Sequence, residues 1–107
     1  MIYEYRQYHM APGKARALHQ RFAEVTQPLF VRHGFRVVGY WTELIGDSSN
    51  LHYLLAWQDF EERERKWAAF QGDQEWQTAR EASERGGPLV EKIVTSLWRP
   101  TAYSPMQ

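Results

Sequence analysis

The chain has 107 residues, enough for one domain, and its 15% aromatic content favours a packed core. Thirteen basic residues balance thirteen acidic ones, which argues against nucleic acid or an anionic membrane as a partner. The absence of cysteine excludes disulfides, thiolate metal sites and cysteine nucleophiles. Residues 1–10 have no apolar segment typical of a signal peptide, so we expect a cytoplasmic protein.

The first part of the chain predicts a strand and a long helix. Residues 2–9 alternate tyrosines with polar side chains, which is typical of a strand with two unlike faces. Residues 12–32 carry apolar side chains at spacings of three and four, which predicts a helix. The apolar positions of this helix are Ala15, Leu18, Phe22, Val25 and Leu29. Pro28 should kink or split the helix, and Gly34 should end it.

A hairpin, a second helix and a final strand follow. Residues 35–45 and 51–57 predict two antiparallel strands around a polar turn, and Gly39 indicates either a bulge or a close backbone approach. Asp59 is placed to cap the second helix, and Asp73 can cap a short further helical segment. Residues 89–98 predict the last strand. We expect one domain over residues 1–100 and a C-terminal tail over residues 101–107.

The order β-α-β-β-α-β is that of the α+β, ferredoxin-like fold, a four-stranded antiparallel sheet with both helices on one face. The second face would also be apolar, with several candidates that depend on the phase of each strand. The candidates are Ile2, Tyr8, Trp41, Leu54, Val94 and Trp98. An exposed apolar face favours association with a second copy. We therefore expect a homodimer in which two sheets meet as a dimeric α/β barrel.

Several stretches, in their order and spacing, resemble the NIPSNAP family within the dimeric α/β barrel group. They are residues 2–6 (Ile-Tyr-Glu-Tyr-Arg), 12–14 (Pro-Gly-Lys), 38–41 (Val-Gly-Tyr-Trp), 56–63 (Ala-Trp-Gln-Asp-Phe-Glu-Glu-Arg) and 73–76 (Asp-Gln-Glu-Trp), with Gly46 and Asn50. The resemblance spans about residues 1–100. It implies the dimeric barrel and a pocket between sheet and helices, but no defined reaction.

Glu4, Arg6 and Tyr8 alternate along the first strand and therefore share a face. Inside a barrel, a carboxylate and a guanidinium could orient a polar group of a ligand, and Arg6 could bind a carboxylate through two hydrogen bonds. The alternative is an ion pair at the dimer contact or at the rim of the barrel.

Two histidines are candidate catalytic bases because the imidazole pKa lies near neutral pH. His19 is predicted on the inward stripe of the first helix; alternatively it lies at the edge of that stripe with one nitrogen in water. His52 lies in the central strand, where it either hydrogen-bonds in the core or lines the barrel. The four histidines lack the spacing of a metal site, so we predict no metal ligands. Haem would need only one histidine, so it stays an alternative, and the leading interpretation has no cofactor.

Tryptophans could form a pocket for a flat apolar ligand. Trp41 and Trp57 lie on strands and could line such a pocket, whereas Trp67 and Trp76 have helical spacings typical of a core. Residues 61–66 (Glu-Glu-Arg-Glu-Arg-Lys) mix charges of both signs, which predicts a solvated helix face.

The sequence leaves two main functional hypotheses. The first is a homodimeric binding module for a small apolar or aromatic molecule. The second is a cofactor-independent monooxygenase or isomerase, or a haem-binding variant, acting on an aromatic or polyketide-like substrate. His19 or His52 would then be the base, and Arg6 would stabilise an anion. A purely structural dimer is the third possibility.

Overall fold

The computed structural model covers residues 1–107 and contains one four-stranded antiparallel sheet with helices on one face. The strands are β1 (Ile2–Met10), β2 (Arg36–Thr42), β3 (Asn50–Trp57) and β4 (Val90–Trp98), in the spatial order β2-β3-β1-β4. The helices are α1 (Ala15–Arg21), α2 (Gln27–Arg32), α3 (Phe60–Gln71) and α4 (Gln74–Ser83). This is the predicted ferredoxin-like order. No helix has the length and apolar character needed to span a bilayer.

A π-helical turn, Phe22–Thr26, joins α1 to α2 just ahead of Pro28. The Gln27 N–H donates to the carbonyl of Phe22, five residues back, so the turn holds one residue more than an α-helical turn. This turn separates Pro28 from the regular α-helical hydrogen bonds that its ring and missing N–H would disrupt. The inward face shifts by one position, because Thr26 is buried and the predicted Val25 is only half-buried. The helix is therefore divided near Pro28, as expected, and the π-helical turn that divides it places Thr26 in the buried face.

Helix ends lie close to their predicted positions. The Asp59 side chain accepts a hydrogen bond from the Glu62 N–H at 2.8 Å, and the Asp73 side chain accepts one from the Glu75 N–H at 2.8 Å. Gly34 follows α2 with a φ of 77°, a conformation that glycine adopts without steric cost. Both predicted caps and the predicted helix stop are confirmed.

The sheet has a helix-covered face and an open face. On the covered face, β3 contributes its fully buried side chains Leu51, Tyr53, Leu55 and Trp57. Ile2 and Tyr8 pack against the same core, so their expected place on the second face is wrong. The other four candidates, Trp41, Leu54, Val94 and Trp98, share the open face. The register shift between Val37 and Gly39 is a bulge, one of the two alternatives expected at Gly39, and it sets which side chains of the rest of β2 lie on each face.

Two segments lie near the open face, and the first of them differs from the prediction. Strand β2 ends at Thr42, so Leu44 and Ile45 lie in the following loop with 99% and 93% of their surface exposed. The C-terminal tail folds back on the sheet, where the Tyr3 hydroxyl donates to the carbonyl of Gln107 at 2.7 Å. The tail thus covers one end of the open face and buries Tyr3.

Candidate functional site

A fully buried carboxylate, Glu4 on β1, joins the sheet to α3. Its side chain has no exposed surface and accepts five hydrogen bonds. Trp57 Nε1, Trp67 Nε1 and Arg63 Nε donate to Oε1 at 2.9, 3.0 and 2.9 Å. Arg6 Nη1 and Arg63 Nη2 donate to Oε2 at 2.9 and 3.1 Å. Burial alone would raise the pKa of Glu4, but the hydrogen bonds from Arg63 and Trp67 and the charge of Arg6 outweigh it, so the pKa lies below its ordinary value.

Arg6 is held rigidly beside this carboxylate. Its Nε donates to the Tyr53 hydroxyl at 2.8 Å, Nη1 to Glu4 at 2.9 Å and Nη2 to the Tyr8 hydroxyl at 3.2 Å. The guanidinium lies 4.6 Å from the ring centre of Trp67, a cation–π contact. Burial disfavours its charged form, but the Tyr53, Tyr8 and Glu4 oxygens outweigh this cost and raise the pKa of Arg6. The pair is therefore an internal one on the helix-covered face, rather than a contact between copies.

The expected solvated face at residues 61–66 is wrong at Arg63, which keeps only 20% of its side chain exposed. Arg63 lies four residues before Trp67, and residues four apart share a side of a helix. Its guanidinium therefore reaches inward to Glu4 together with the Trp67 indole. The spacing of four residues from the inward Trp67 could have indicated that Arg63 faces inward. The mixed charges of residues 61–66 instead led to the prediction of a solvated face.

A cavity of about 590 Å³ lies between the sheet and the helices. Eight of its 15 lining residues are hydrophobic, so the walls are amphipathic. Phe22, Phe30 and Phe70 are its buried aromatic walls, whereas Gln77 and Arg80 are exposed at its edge. Small-molecule sites typically occupy about 300–1,000 Å³, so this volume suits a small ligand.

Arg21 and Thr26 also line the cavity, and each has a buried polar atom without a hydrogen-bond partner, Nε of Arg21 and Oγ1 of Thr26. The Arg21 side chain is only 8% exposed; its Nη1 donates to Ser83 Oγ at 3.1 Å. Sequence reasoning missed both residues. The signal for Arg21 was a charged residue three positions after Leu18 on the apolar stripe, whereas Thr26 turns inward only because of the π-helical turn.

The two candidate bases lie away from this cavity. His19 is exposed, which corrects its expected inward position, and it borders a separate apolar groove of about 220 Å³ beside Tyr40. His52 lies on the open face, where Nε2 is 2.8 Å from Glu43 Oε2 and Nδ1 is 2.7 Å from the Tyr5 hydroxyl. Burial and the charge of Glu43 raise the pKa of Tyr5, so the phenol stays neutral. Both nitrogens of His52 are thus occupied within the chain.

The remaining predicted ligand-binding residues divide between three places. Tyr8 lines the cavity next to Arg6. Trp57 lies in the core without exposed surface and acts as a donor to Glu4. Trp41 lies on the open face with 52% of its surface exposed. Trp67 lies in the core, as expected, and Trp76 packs against it; both also line the cavity.

Stability should fall on acidification because folding lowers the pKa of more than one carboxyl. Asp73 hydrogen-bonds to His33 at 2.7 Å and to Arg32 at 2.9 Å, and these contacts hold its pKa well below the ordinary 3.8. Glu4 is likewise below its ordinary 4.5. A lowered folded-state pKa contributes stability above the unfolded-state value and loses it as the pH falls through the folded-state value.

We therefore expect the free energy of unfolding to be nearly constant at neutral pH and to decline below about pH 4.5. Urea denaturation followed by tryptophan fluorescence at a series of pH values measures this. The Glu4→Gln variant should show a smaller decline, because one of the lowered groups is gone. An unfolding free energy that does not change on acidification to about pH 3 would contradict the prediction.

Comparisons with known proteins agree with this architecture. The NIPSNAP family model matches residues 3–105. A NIPSNAP-like domain protein of Burkholderia xenovorans is 27% identical, with a TM-score of 0.84 over 97% of this chain and 88% of that one. A NIPSNAP family protein of Agrobacterium tumefaciens is 22% identical, with a TM-score of 0.86 over 99% and 98% of the two chains.

A more distant structure extends the likeness of the fold. A Nitrosomonas europaea protein provisionally named an antibiotic biosynthesis monooxygenase has a TM-score of 0.66 at 11% identity, over 94% of this chain and 98% of that one. A search of curated protein sequences finds no significant match. Because the family model spans nearly the whole chain, the protein belongs to the NIPSNAP family.

Proposed function

We propose that this NIPSNAP protein is a homodimer in which each chain binds a small amphipathic molecule in the cavity between sheet and helices. The main observation in support is that this cavity of about 590 Å³ combines aromatic walls with buried polar atoms that have no hydrogen-bond partner within the chain. Buried polar groups are normally hydrogen-bonded, so unpartnered ones beside a cavity favour an occupant with polar groups of its own.

The rigidity of one wall supports a binding role. All three nitrogens of Arg6 are engaged by Glu4, Tyr8 and Tyr53, so this side chain is fixed before a ligand arrives. Rigid groups lose little conformational entropy on binding, which favours affinity. Glu4 contributes indirectly: it touches no cavity space but holds Arg6 in position.

The open face supports the dimer. Trp41, Val94 and Trp98 expose 52%, 41% and 47% of their surface there, and Tyr5 stacks on Trp98 with ring centres 5.1 Å apart. Polar groups in the middle of this face are mutually satisfied, since Glu43, His52 and Tyr5 are hydrogen-bonded in series. A face with aromatic side chains and internally paired polar groups can be covered at low desolvation cost.

The geometry favours binding over the catalytic alternative at this cavity. A monooxygenase or isomerase that used His52 would have to bind its substrate on the open face and displace Tyr5 or Glu43 from the imidazole. His19 borders the other groove. A ligand in the main cavity therefore meets arginines, the hydroxyl of Tyr8 and the amides of two glutamines, and neither candidate base.

The five tryptophans allow both parts of the proposal to be tested together. Native mass spectrometry should give twice the 12.7 kDa chain mass. In ¹H–¹⁵N spectra, titration with 2-naphthylmethanol or 2-naphthoate should shift the indole resonances of Trp67 and Trp76, which line the cavity. Those of Trp41 and Trp98, on the open face, should not move. Single Trp→Phe variants provide the assignments.

Each part can fail separately. A monomer at micromolar concentration would overturn the dimer. Saturable shifts at Trp41 and Trp98 with none at Trp67 and Trp76 would place the ligand on the open face and overturn the cavity. No binding of either naphthalene probe would also count against the cavity.

A further inference from the structure

We infer that the cavity selects an anionic amphipathic ligand, such as an aromatic or aliphatic carboxylate, and that Arg21 and Thr26 bind its charged group. The inference rests on the proposed binding function and adds the chemical class of the ligand. It depends on the unpartnered atoms of Arg21 and Thr26 and on the charges that line the cavity, whereas Glu4 does not line it.

Arg21 has a buried guanidinium whose positive charge and hydrogen-bond donors are only partly matched by other groups of the chain. Its side chain is 8% exposed, and its one hydrogen bond through Nη1 goes to the neutral hydroxyl of Ser83. The nearest carboxylate, Glu84, lies 3.9 Å away and receives a closer contact, 3.0 Å, from Arg80 Nε. Nε of Arg21 has no partner. A buried cation in this state is costly unless a further anion joins it.

The balance of charge around the cavity is positive. Three guanidinium groups line it, those of Arg6, Arg21 and Arg80, against the single carboxylate of Glu84. Glu4 does not remove this excess, because it is paired with Arg63 as well as with Arg6, and counting both Glu4 and Arg63 leaves the balance unchanged. The chain as a whole has no net charge, so the excess is a local property of the site. Such an excess in a partly desolvated cavity attracts anions.

Thr26 provides a second polar contact. Its hydroxyl is buried, lines the same cavity and has no hydrogen-bond partner. A hydroxyl can donate to a carboxylate oxygen while a guanidinium donates to the other oxygen. The remaining walls are apolar and suit the hydrocarbon part of the ligand; they include Phe22, Phe30, Phe70, Val90 and Ile93.

Trp76 links the charged and apolar parts of the site. The Arg21 guanidinium lies 5.1 Å from the ring centre of Trp76, and Trp76 lies 4.8 Å from Phe70 between ring centres. A carboxylate paired with Arg21 would place an attached aromatic body beside this tryptophan. Trp76 is therefore the natural reporter of binding.

The test compares two probes with the same ring system, 2-naphthoate and the neutral 2-naphthylmethanol, by titration of the wild-type protein. We expect naphthoate to bind at least about tenfold more tightly, as for a charged hydrogen bond in a desolvated site. Arg21→Met keeps much of the side-chain packing against Trp76 and removes the charge. It should weaken naphthoate binding by about tenfold to a hundredfold and leave naphthylmethanol within about twofold.

Controls separate charge selection from folding and from the proposed function itself. Arg65→Met removes an exposed arginine of α3 that does not line the cavity, and it should change neither affinity. Equal affinities of the wild type for both probes would overturn anion selection and leave the binding function standing. No binding of either probe would overturn both. If Arg21→Met fails to fold, the wild-type comparison still decides, and Arg21→Lys should keep the preference for naphthoate.

Discussion

Replacing Glu4 with glutamine is expected to lower the free energy of unfolding by about 3–5 kcal/mol. The substitution keeps the shape of the side chain but removes the only charge that compensates the buried Arg6, whose side chain is 14% exposed. It also presents an amide N–H₂ to donors from Arg6, Arg63, Trp57 and Trp67, which can no longer all be satisfied. Breaking a buried pair by removing one partner leaves an uncompensated charge, and this accounts for the size of the effect.

The matched control is Glu64→Gln. Glu64 contacts the same guanidinium of Arg63, but 55% of its side chain is exposed. Exposed ion pairs contribute about 0–1 kcal/mol, so this variant should unfold almost as the wild type does. Urea denaturation at neutral pH, followed by tryptophan fluorescence, measures both variants under the same conditions.

Thermal unfolding should give the same result. For a domain of this size, a loss of about 1 kcal/mol in unfolding free energy lowers Tm by several degrees, so Glu4→Gln should lower Tm by more than about 10 °C. A loss no greater than that of Glu64→Gln would show that the five hydrogen bonds are not a major source of stability. The role of Glu4 in positioning Arg6 would then also need another explanation.

The contrast between Glu4 and the helices shows what a single sequence can predict. Helices and strands were predictable because apolar spacing, Asp59, Asp73 and Gly34 act within a few residues of where they stand. Apart from Arg6, the partners of Glu4 are 53, 59 and 63 residues away, on β3 and α3. The sequence placed Glu4 and Arg6 on one face by alternation, but it could not say that α3 would supply Arg63 as the second cation.

Most of the remaining differences between prediction and structure concern which side chains of a strand or helix face the core. The alternation on β1 predicted correctly that Glu4, Arg6 and Tyr8 share a face, yet it could not say which face the helices cover. Within the first helix, one extra residue in the π-helical turn moved Thr26 inward. A cavity is still harder to foresee, because it is bounded by side chains from five or more elements whose relative positions depend on packing. Arg21 could have been singled out as a charge on an apolar stripe, but nothing local indicated its unpartnered Nε.

The second large effect is expected at the proposed dimer contact, where Val94→Glu should dissociate the dimer. Val94 lies on β4, and its neighbour across the strand pair, Gln7, belongs to the open face with Tyr5. In a dimer with two-fold symmetry the substitution acts twice, and each copy would bury a carboxylate among apolar side chains. If burying each introduced carboxylate costs about 2 kcal/mol, the two copies together should raise the dimer dissociation constant by about a thousandfold.

Val31→Glu is the matched control for this experiment, because it introduces the same residue change at an exposed valine of α2, which does not belong to the open face of the sheet. Val31 is 63% exposed, and glutamate is a good helix former, so this variant should remain dimeric and as stable as the wild type. Sedimentation equilibrium over a range of concentrations gives both dissociation constants. If the dimer dissociation constant of Val94→Glu is no larger than that of Val31→Glu, the open face is not where the copies meet. The apolar side chains of the loop at Leu44 and Ile45, almost fully exposed, would then be the next surface to test by the same substitution.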